Sequence, residues 1–406
     1  MPVAWLLLRF WFLDRYWAAH NSHPYDIVEK RFGYVTRVCL SLMFVLLRIG
    51  WMAVIIYAPT LIIMGALGLE QRWFWPIVLI VGGSCTTLSV IGGIRGVIVV
   101  DAIQFIVIAL GLTLVIALVM VRMHWAIPGI WKDLQATHRL QLFDFSLSLT
   151  SPWSFFAVAI GSIIANTGSY ASDQMALQRY LASESRDAVV RSFSINIIGS
   201  VTVVMLLVAV GLLLSVWYLH HPDPGLPGNP DQVLPYYAAR ELPAGMSGLL
   251  IAAILAATMN TVTSGINSLA GSVINDFLSR LGRPRTPAEL FRFARWTSAG
   301  LGLIATLSAG FASHLGSVLN SSNIMTGAFQ GPMFACMLWA VSGAPARPPA
   351  LLWGMLLGCL AGWGVAATPV SSYWVAPAGF AVTLVVPWID RARARSGSSR
   401  GAVATL

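Results

Sequence analysis

The sequence predicts an all-α polytopic membrane protein, and three observations carry that prediction. Hydrophobic residues make up 57% of the 406 positions and charged residues only 10%, a balance far from that of soluble domains. The apolar residues gather into ten runs, each about 18 residues or longer, which is the length a helix needs to cross a ~30 Å hydrocarbon core. With the loop 18–37 placed on the cytoplasmic side and the spans alternating from there, seventeen Lys and Arg residues fall inside and only Arg72, Lys132, Arg139 and Arg240 outside. Such a bias is what correct segmentation should produce.

The elements follow in order. The opening MPVAWLLLRFWFLDRYW is too short to span, is interrupted by Arg9, Asp14 and Arg15, and has no small-residue cleavage site, so it is neither a signal peptide nor a full crossing. The spans run 38–67, 74–94, 97–122, 152–172, 190–219, 247–276, 294–313, 316–341, 350–367 and 371–389. The first and sixth, with 30 residues each, would make helices of about 45 Å and must tilt. The span 152–172 carries AIGSIIANTGSY. Its Gly161, Ser162, Asn166, Thr167, Gly168 and Ser169 are expected to interrupt the helix and leave unwound backbone in mid-membrane. The long connections 123–151 and 220–246 fall outside, and HHPDPGLPGNP in the second excludes regular structure there. Residues 1–389 form one transmembrane domain, and 390–406, with RARARSGSSRG, form a basic cytoplasmic tail without fixed structure.

Several function classes are excluded by what the spans hold. Cys39, Cys85, Cys336 and Cys359 are scattered without ligand spacing, and the histidines lie in loops or at span ends, so neither a metal cluster nor membrane haem ligation is encoded. There is no GxxxxGK[ST], HExxH or GxSxG, hence no case for an enzyme. The net charge of +9 is spread over short loops, which argues against nucleic acid as a partner. Arg48 is the only arginine well inside a full span. An isolated charge there costs at least ~2.5 kcal/mol, so it either snorkels to the surface or captures a solute carboxylate. The stretch LAATMNTVTSGINS, residues 255–268, puts six hydrogen-bonding side chains into an apolar helix. Single Ser or Thr residues there serve helix packing; two asparagines among them call for a partner or a ligand.

Ordered motifs then resemble a known family. EKRFG (29–33), IIYAP (55–59), GGIRGVIVVDAIQF (92–105), DQMALQRYLA (173–182), the long run from DQVLPYYAARELPAGMSGLLIAAILAATM to SGINSLAGSVINDF (231–277) and GPMFACML (331–338) stand in the order typical of sodium/solute symporters. The resemblance covers about residues 24–389 and is most specific at LPxGxxGLLIAAILAATM followed by SGxNS. It implies a LeuT-type fold of two inverted five-helix repeats, with spans 38–67 to 97–122 as core helices three to five and 152–172 to 316–341 as six to ten. Core helix one would be missing, and core helix two represented only by residues 1–17.

The resemblance also implies a sodium ion as coupling ion and a small organic solute, with IIYAP closest to the branch carrying monocarboxylates and other organic anions. A hard cation wants several oxygens on one helix face, and Ala257, Asn260, Thr261 and Ser264 have the i, i+3, i+4, i+7 spacing. In the family the sodium site uses the backbone oxygen at Ala257 and side-chain oxygens at Asn260 and Thr261, where Asn260 replaces the usual serine. Asp101 with Thr263 and Ser264 matches an additional sodium site of some relatives. Asn166, Tyr170 and Asn323 occupy positions resembling the family's solute contacts, and Arg48 joins them as the candidate for the solute carboxylate. The expected partners are the solute and the bilayer, with no obligate protein partner. The alternative is a non-transporting solute sensor of the same fold. A chain that starts at Met1 and lacks the unwound carbonyls of helix one is expected to form the scaffold without tight sodium binding or transport; an in-frame upstream extension encoding two more hydrophobic segments would complete it.

Overall fold

The computed structural model describes residues 2–18, 23–91, 97–141, 144–181, 183–243, 245–274 and 286–403, with backbone alone at 97–102, 287 and 394–403. Fifteen α-helices follow one another, with no strand among the described residues: α1 Pro2–Leu7, α2 Leu13–Ala18, α3 Asp26–Leu67, α4 Phe74–Ile91, α5 Val97–Arg122, α6 Ile127–Ala136, α7 Phe155–Ala171, α8 Gln174–Leu181, α9 Arg186–His220, α10 Val233–Glu241, α11 Met246–Ser272, α12 Pro287–Ala312, α13 Val318–Ser342, α14 Pro348–Ala366 and α15 Val375–Val403. Among the described residues nine helices are long and apolar enough to cross a membrane, or ten if α7 and α8, bent by 48°, form one span. These are the ten expected segments; the last residues of spans 74–94 and 247–276 lie outside the described residues.

The chain divides into two units: residues 1–48, 143–197 and 322–406, and residues 49–142 and 198–321. In the first, α1 runs through a π-turn, Leu8–Phe12, into α2, burying Ala4, Leu8, Phe12, Leu13 and Tyr16. Asp14 pairs with Arg186 and Trp5 Nε1 donates to Ser194 Oγ at 3.1 Å. Gly33, at φ 83°, breaks α3 near its start, a backbone state that only glycine adopts cheaply. Arg37 spans the break, reaching Asp26 at 3.0 Å and Glu29 at 2.5 Å. Arg31 donates to the carbonyls of Trp339 and Ala340, both at 2.7 Å, and of Ala344 at 2.8 Å. A guanidinium thereby closes the end of α13, where orphan carbonyls and the negative end of the helix dipole lie.

In the second unit α4 and α12 meet through a reciprocal pair of contacts. A Cβ on Gly82 would lie 2.3 Å from Thr306 Oγ1, and one on Gly302 would lie 2.3 Å from Thr86 Oγ1. Each threonine thus sits on the opposing glycine, its hydroxyl satisfied by its own helix, Thr86 on Gly82 O at 2.8 Å and Thr306 on Gly302 O at 2.7 Å. Small residues let membrane helices come this close.

Two expectations are corrected, on the loop 18–37 and on the tail, and the HHPDPGLPGNP run carries no α-helix between His220 and Pro230, as expected. The loop 18–37 holds the start of α3, because Asp26 and Glu29 favour a helix N-terminus. The connections 123–151 and 220–246 hold α6 and α10, whose apolar faces (Ile130 and Leu134; Tyr237 and Ala238) join a core with Val119, Val210 and Trp217. The irregular turn between α9 and α10 is organised by Asp223: the Gly225 N–H and the Tyr236 hydroxyl donate to it, with Arg240 nearby, and hold its carboxyl below the ordinary aspartate range. The tail is not structureless, since α15 continues through residue 390 to Val403.

Gly302→Leu should lower the melting temperature of the detergent-solubilised chain, by the equivalent of about 1–3 kcal/mol of overpacking. Gly300→Leu, at a site where a Cβ meets nothing within 4 Å, should leave it nearly unchanged.

Candidate functional site

The polar stretch of α11 serves two faces. Thr263 Oγ1 donates to Cys85 O at 3.3 Å, and Ser89 Oγ donates to Asn267 Oδ1 at 2.8 Å. Thr263 and Asn267 are one turn apart and so bind α11 to α4, as interhelical hydrogen bonds do in lipid. Ala257, Thr261, Ser264 and Ser268 form the other stripe, at i, i+4, i+7 and i+11. Here Thr261 Oγ1 donates to Ala257 O at 2.8 Å and Ser264 Oγ to Thr261 O at 3.0 Å. Thr261 is exposed and Asn260 half-buried beside it. The Ser268 hydroxyl is buried and has no hydrogen-bond partner among the described residues.

This second stripe fits a monovalent hard cation. It offers a carbonyl, hydroxyls that donate and so keep acceptor capacity, and an amide oxygen, with no positive charge on these residues. Thr263, expected beside Ser264 at a second sodium, donates its hydroxyl to the Cys85 carbonyl of α4. The side chain of Asp101, its expected partner, lies outside the described residues.

The expected solute contacts lie in the other unit and close separate bonds. Asn166 Nδ2 donates to Ser162 O at 2.7 Å within α7. Tyr170 donates to Asn196 Oδ1 at 2.8 Å and packs edge-on against Phe193 at 4.2 Å. Asn323 Nδ2 donates to Ser372 Oγ at 3.3 Å. None of these bonds joins two of the four candidates.

Arg48 is held by an ion pair: NH2 donates to Asp173 Oδ2 at 2.5 Å, with side-chain exposures of 18% and 5%. Its Nε is buried and has no hydrogen-bond partner among the described residues. Asp173 also accepts from Met175 N at 2.9 Å, so it caps α8 while neutralising Arg48. The neighbouring Ser172 is held three ways: its hydroxyl donates to Gly168 O at 2.8 Å and accepts from Gln330 Nε2 at 3.3 Å, and its carbonyl accepts from the Tyr25 hydroxyl at 2.9 Å.

The interruption of span 152–172 is therefore misplaced in the sequence reading. α7 is unbroken from Phe155 to Ala171, and the 48° bend falls at Ser172 and Asp173. Gly161 and Gly168 permit close packing: a Cβ on Gly161 would lie 2.3 Å from Tyr373 O, and one on Gly168 would lie 3.0 Å from Gln330 Cγ. The signal that could have found the bend was the need of buried Arg48 for a carboxylate, which DQMALQRYLA supplies in its first residue.

Comparison with known proteins gives these sites a family. The description of the sodium:solute symporter family matches residues 1–358. The chain belongs to the sodium:solute symporter family. Its relatives include sodium-coupled monocarboxylate transporter 2 of Danio rerio, 28% identical over 79% of this symporter-family chain and 52% of that protein, and sodium-coupled monocarboxylate transporter 1 of Homo sapiens, 28% identical over 90% and 58%. The sodium/sialic acid symporter NanT of Aliivibrio fischeri is 25% identical over 96% of this chain and 77% of its own length. The chain thus spans little more than half the length of the first two relatives. Among solved structures, a substrate-bound outward-open sodium-coupled sialic acid symporter matches with a TM-score of 0.79 at 22% identity, covering 96% of this chain and 81% of that one. The fold is the all-α, LeuT-type fold of a multi-pass membrane protein, and the family is one of symporters rather than enzymes.

Neutralising one partner of the buried pair should be costly, since removing either charge strands the other. Arg48→Gln and Asp173→Asn should each destabilise by about 3–5 kcal/mol, and the double variant by clearly less than their sum. Melting of the four proteins in one detergent measures this; additive losses would show that the two residues act independently.

Proposed function

We propose that the chain carries out sodium-coupled symport of a small organic anion across the cell membrane, with its C-terminus on the cytoplasmic side. The observation that carries this reading is the α11 stripe. Ala257 O, Asn260, Thr261 and Ser264 place neutral oxygens along one face of a single helix, and the unpartnered Ser268 hydroxyl extends the row. Neutral oxygens hold a monovalent hard cation without binding it so tightly that it cannot leave. The names of the relatives, for monocarboxylates, sialic acid and iodide, support an anion as the solute. Asn166, Tyr170 and Asn323 are the proposed solute contacts, with the spare Nε of Arg48 as a donor to the solute carboxylate. Asp101, with Thr263 and Ser264, is proposed to bear on a further sodium.

The test is sodium-driven uptake of a panel of monocarboxylates into cells that express the protein. Thr261→Val should raise the sodium concentration for half-maximal uptake about tenfold, the equivalent of one ~1.4 kcal/mol contact. Uptake that is indifferent to sodium would overturn the reading. In the same assay Asp101→Asn should flatten the sodium-activation curve, and an unchanged curve would remove Asp101 from the coupling machinery.

A further inference from the structure

The corner between α7 and α8 encloses a second cavity. Its volume is about 280 Å³ and its walls include Tyr170 from the first leg of the bend, Arg179 and Tyr180 from the second, and Ser192, Phe193 and Asn196 from α9. Tyr180 is only 8% exposed and lines the cavity, and its hydroxyl makes no hydrogen bond among the described residues. Asn196 accepts from the Tyr170 hydroxyl at Oδ1, and its amide N–H groups have no hydrogen-bond partner among the described residues. Arg179 is exposed and has no carboxylate partner among the described residues, whereas the carboxylate of the bend, Asp173, is taken by Arg48. The Ser183 hydroxyl is already spent on Arg179 O at 2.7 Å.

A guanidinium, a phenol hydroxyl and an amide N–H converging on a space at the small end of ligand cavities form a receptor for an oxyanion. Arginine suits such a group because its fork matches two oxygens at once. We infer that this cavity binds a carboxylate or phosphate group, with Arg179 as the charge, Tyr180 and Asn196 as donors, and Phe193 closing one side. Two sources share that chemistry: a small soluble anion and the headgroup of an anionic lipid. The site needs neither sodium nor transport, so it stands or falls separately from symport.

The experiment uses the whole chain carrying Ser192→Cys, in nanodiscs of phosphatidylcholine. Of the native cysteines, Cys85, Cys336 and Cys359 are buried and Cys39 is half-buried, so the unsubstituted chain supplies the blank. Rates with an anionic and a cationic methanethiosulfonate are each normalised to free cysteine. The anionic reagent should be favoured by about tenfold or more, as in a cleft of one charge sign. Arg179→Gln should abolish that preference, Arg179→Lys should keep most of it, and Tyr180→Phe should weaken it. Millimolar lactate or phosphate that slows labelling identifies a soluble anion; slowing only when phosphatidylglycerol enters the disc identifies a lipid headgroup. No preference, a preference indifferent to Arg179→Gln, or no protection by any of these anions would overturn the site.

Discussion

A helix in hydrocarbon must satisfy its polar groups from within the protein, and this constraint governs nearly every polar side chain of the chain. Hydroxyls in the spans fold back onto the carbonyl one turn earlier: Thr60 on Ile56, Thr113 on Ala109, Thr202 on Ile198, Thr258 on Ile254. Such bonds make a threonine almost apolar to its surroundings. The informative groups are those left over: the Arg48 and Asp173 pair, Ser89 with Asn267, and the hydroxyls of Tyr180 and Ser268. The first two tie elements together, and the last two are buried without a hydrogen-bond partner among the described residues.

The fold was legible because span length, hydropathy and the distribution of arginines are properties of single segments. All ten expected segments are helices or a bent pair of helices. What sequence reading missed depends on pairing across long separations. Nothing local to Arg31 says that it closes the end of α13 some 300 residues away, and nothing local to Arg48 names Asp173. The glycines of AIGSIIANTGSY were misread for the same reason. Glycine weakens an isolated helix, but beside Tyr373 and Gln330 it buys close approach. Their role could be decided only by what lies opposite.

In the stretch 255–268 helical periodicity separates two faces without any partner being known. Ala257, Thr261 and Ser264 share a stripe in the structure as the spacing requires, while Thr263 and Asn267 turn to α4. One polar run thus has an adhesive side and a side whose hydroxyls bond only within their own helix, and the 100° step between successive residues keeps them apart.

The interlocked threonines and glycines of α4 and α12 carry a mechanical consequence. Since each threonine fills the groove above a glycine on the opposite helix, Gly82 under Thr306 and Gly302 under Thr86, sliding one helix along the other by even a single residue would drive a branched side chain into backbone. Shear between them is blocked, and two contacts of opposite sense also resist rotation about either one. In any rearrangement the two helices must travel as a single lever, so compliance has to reside at joints of another kind, such as the positive-φ break at Gly33 and the corner at Ser172 and Asp173.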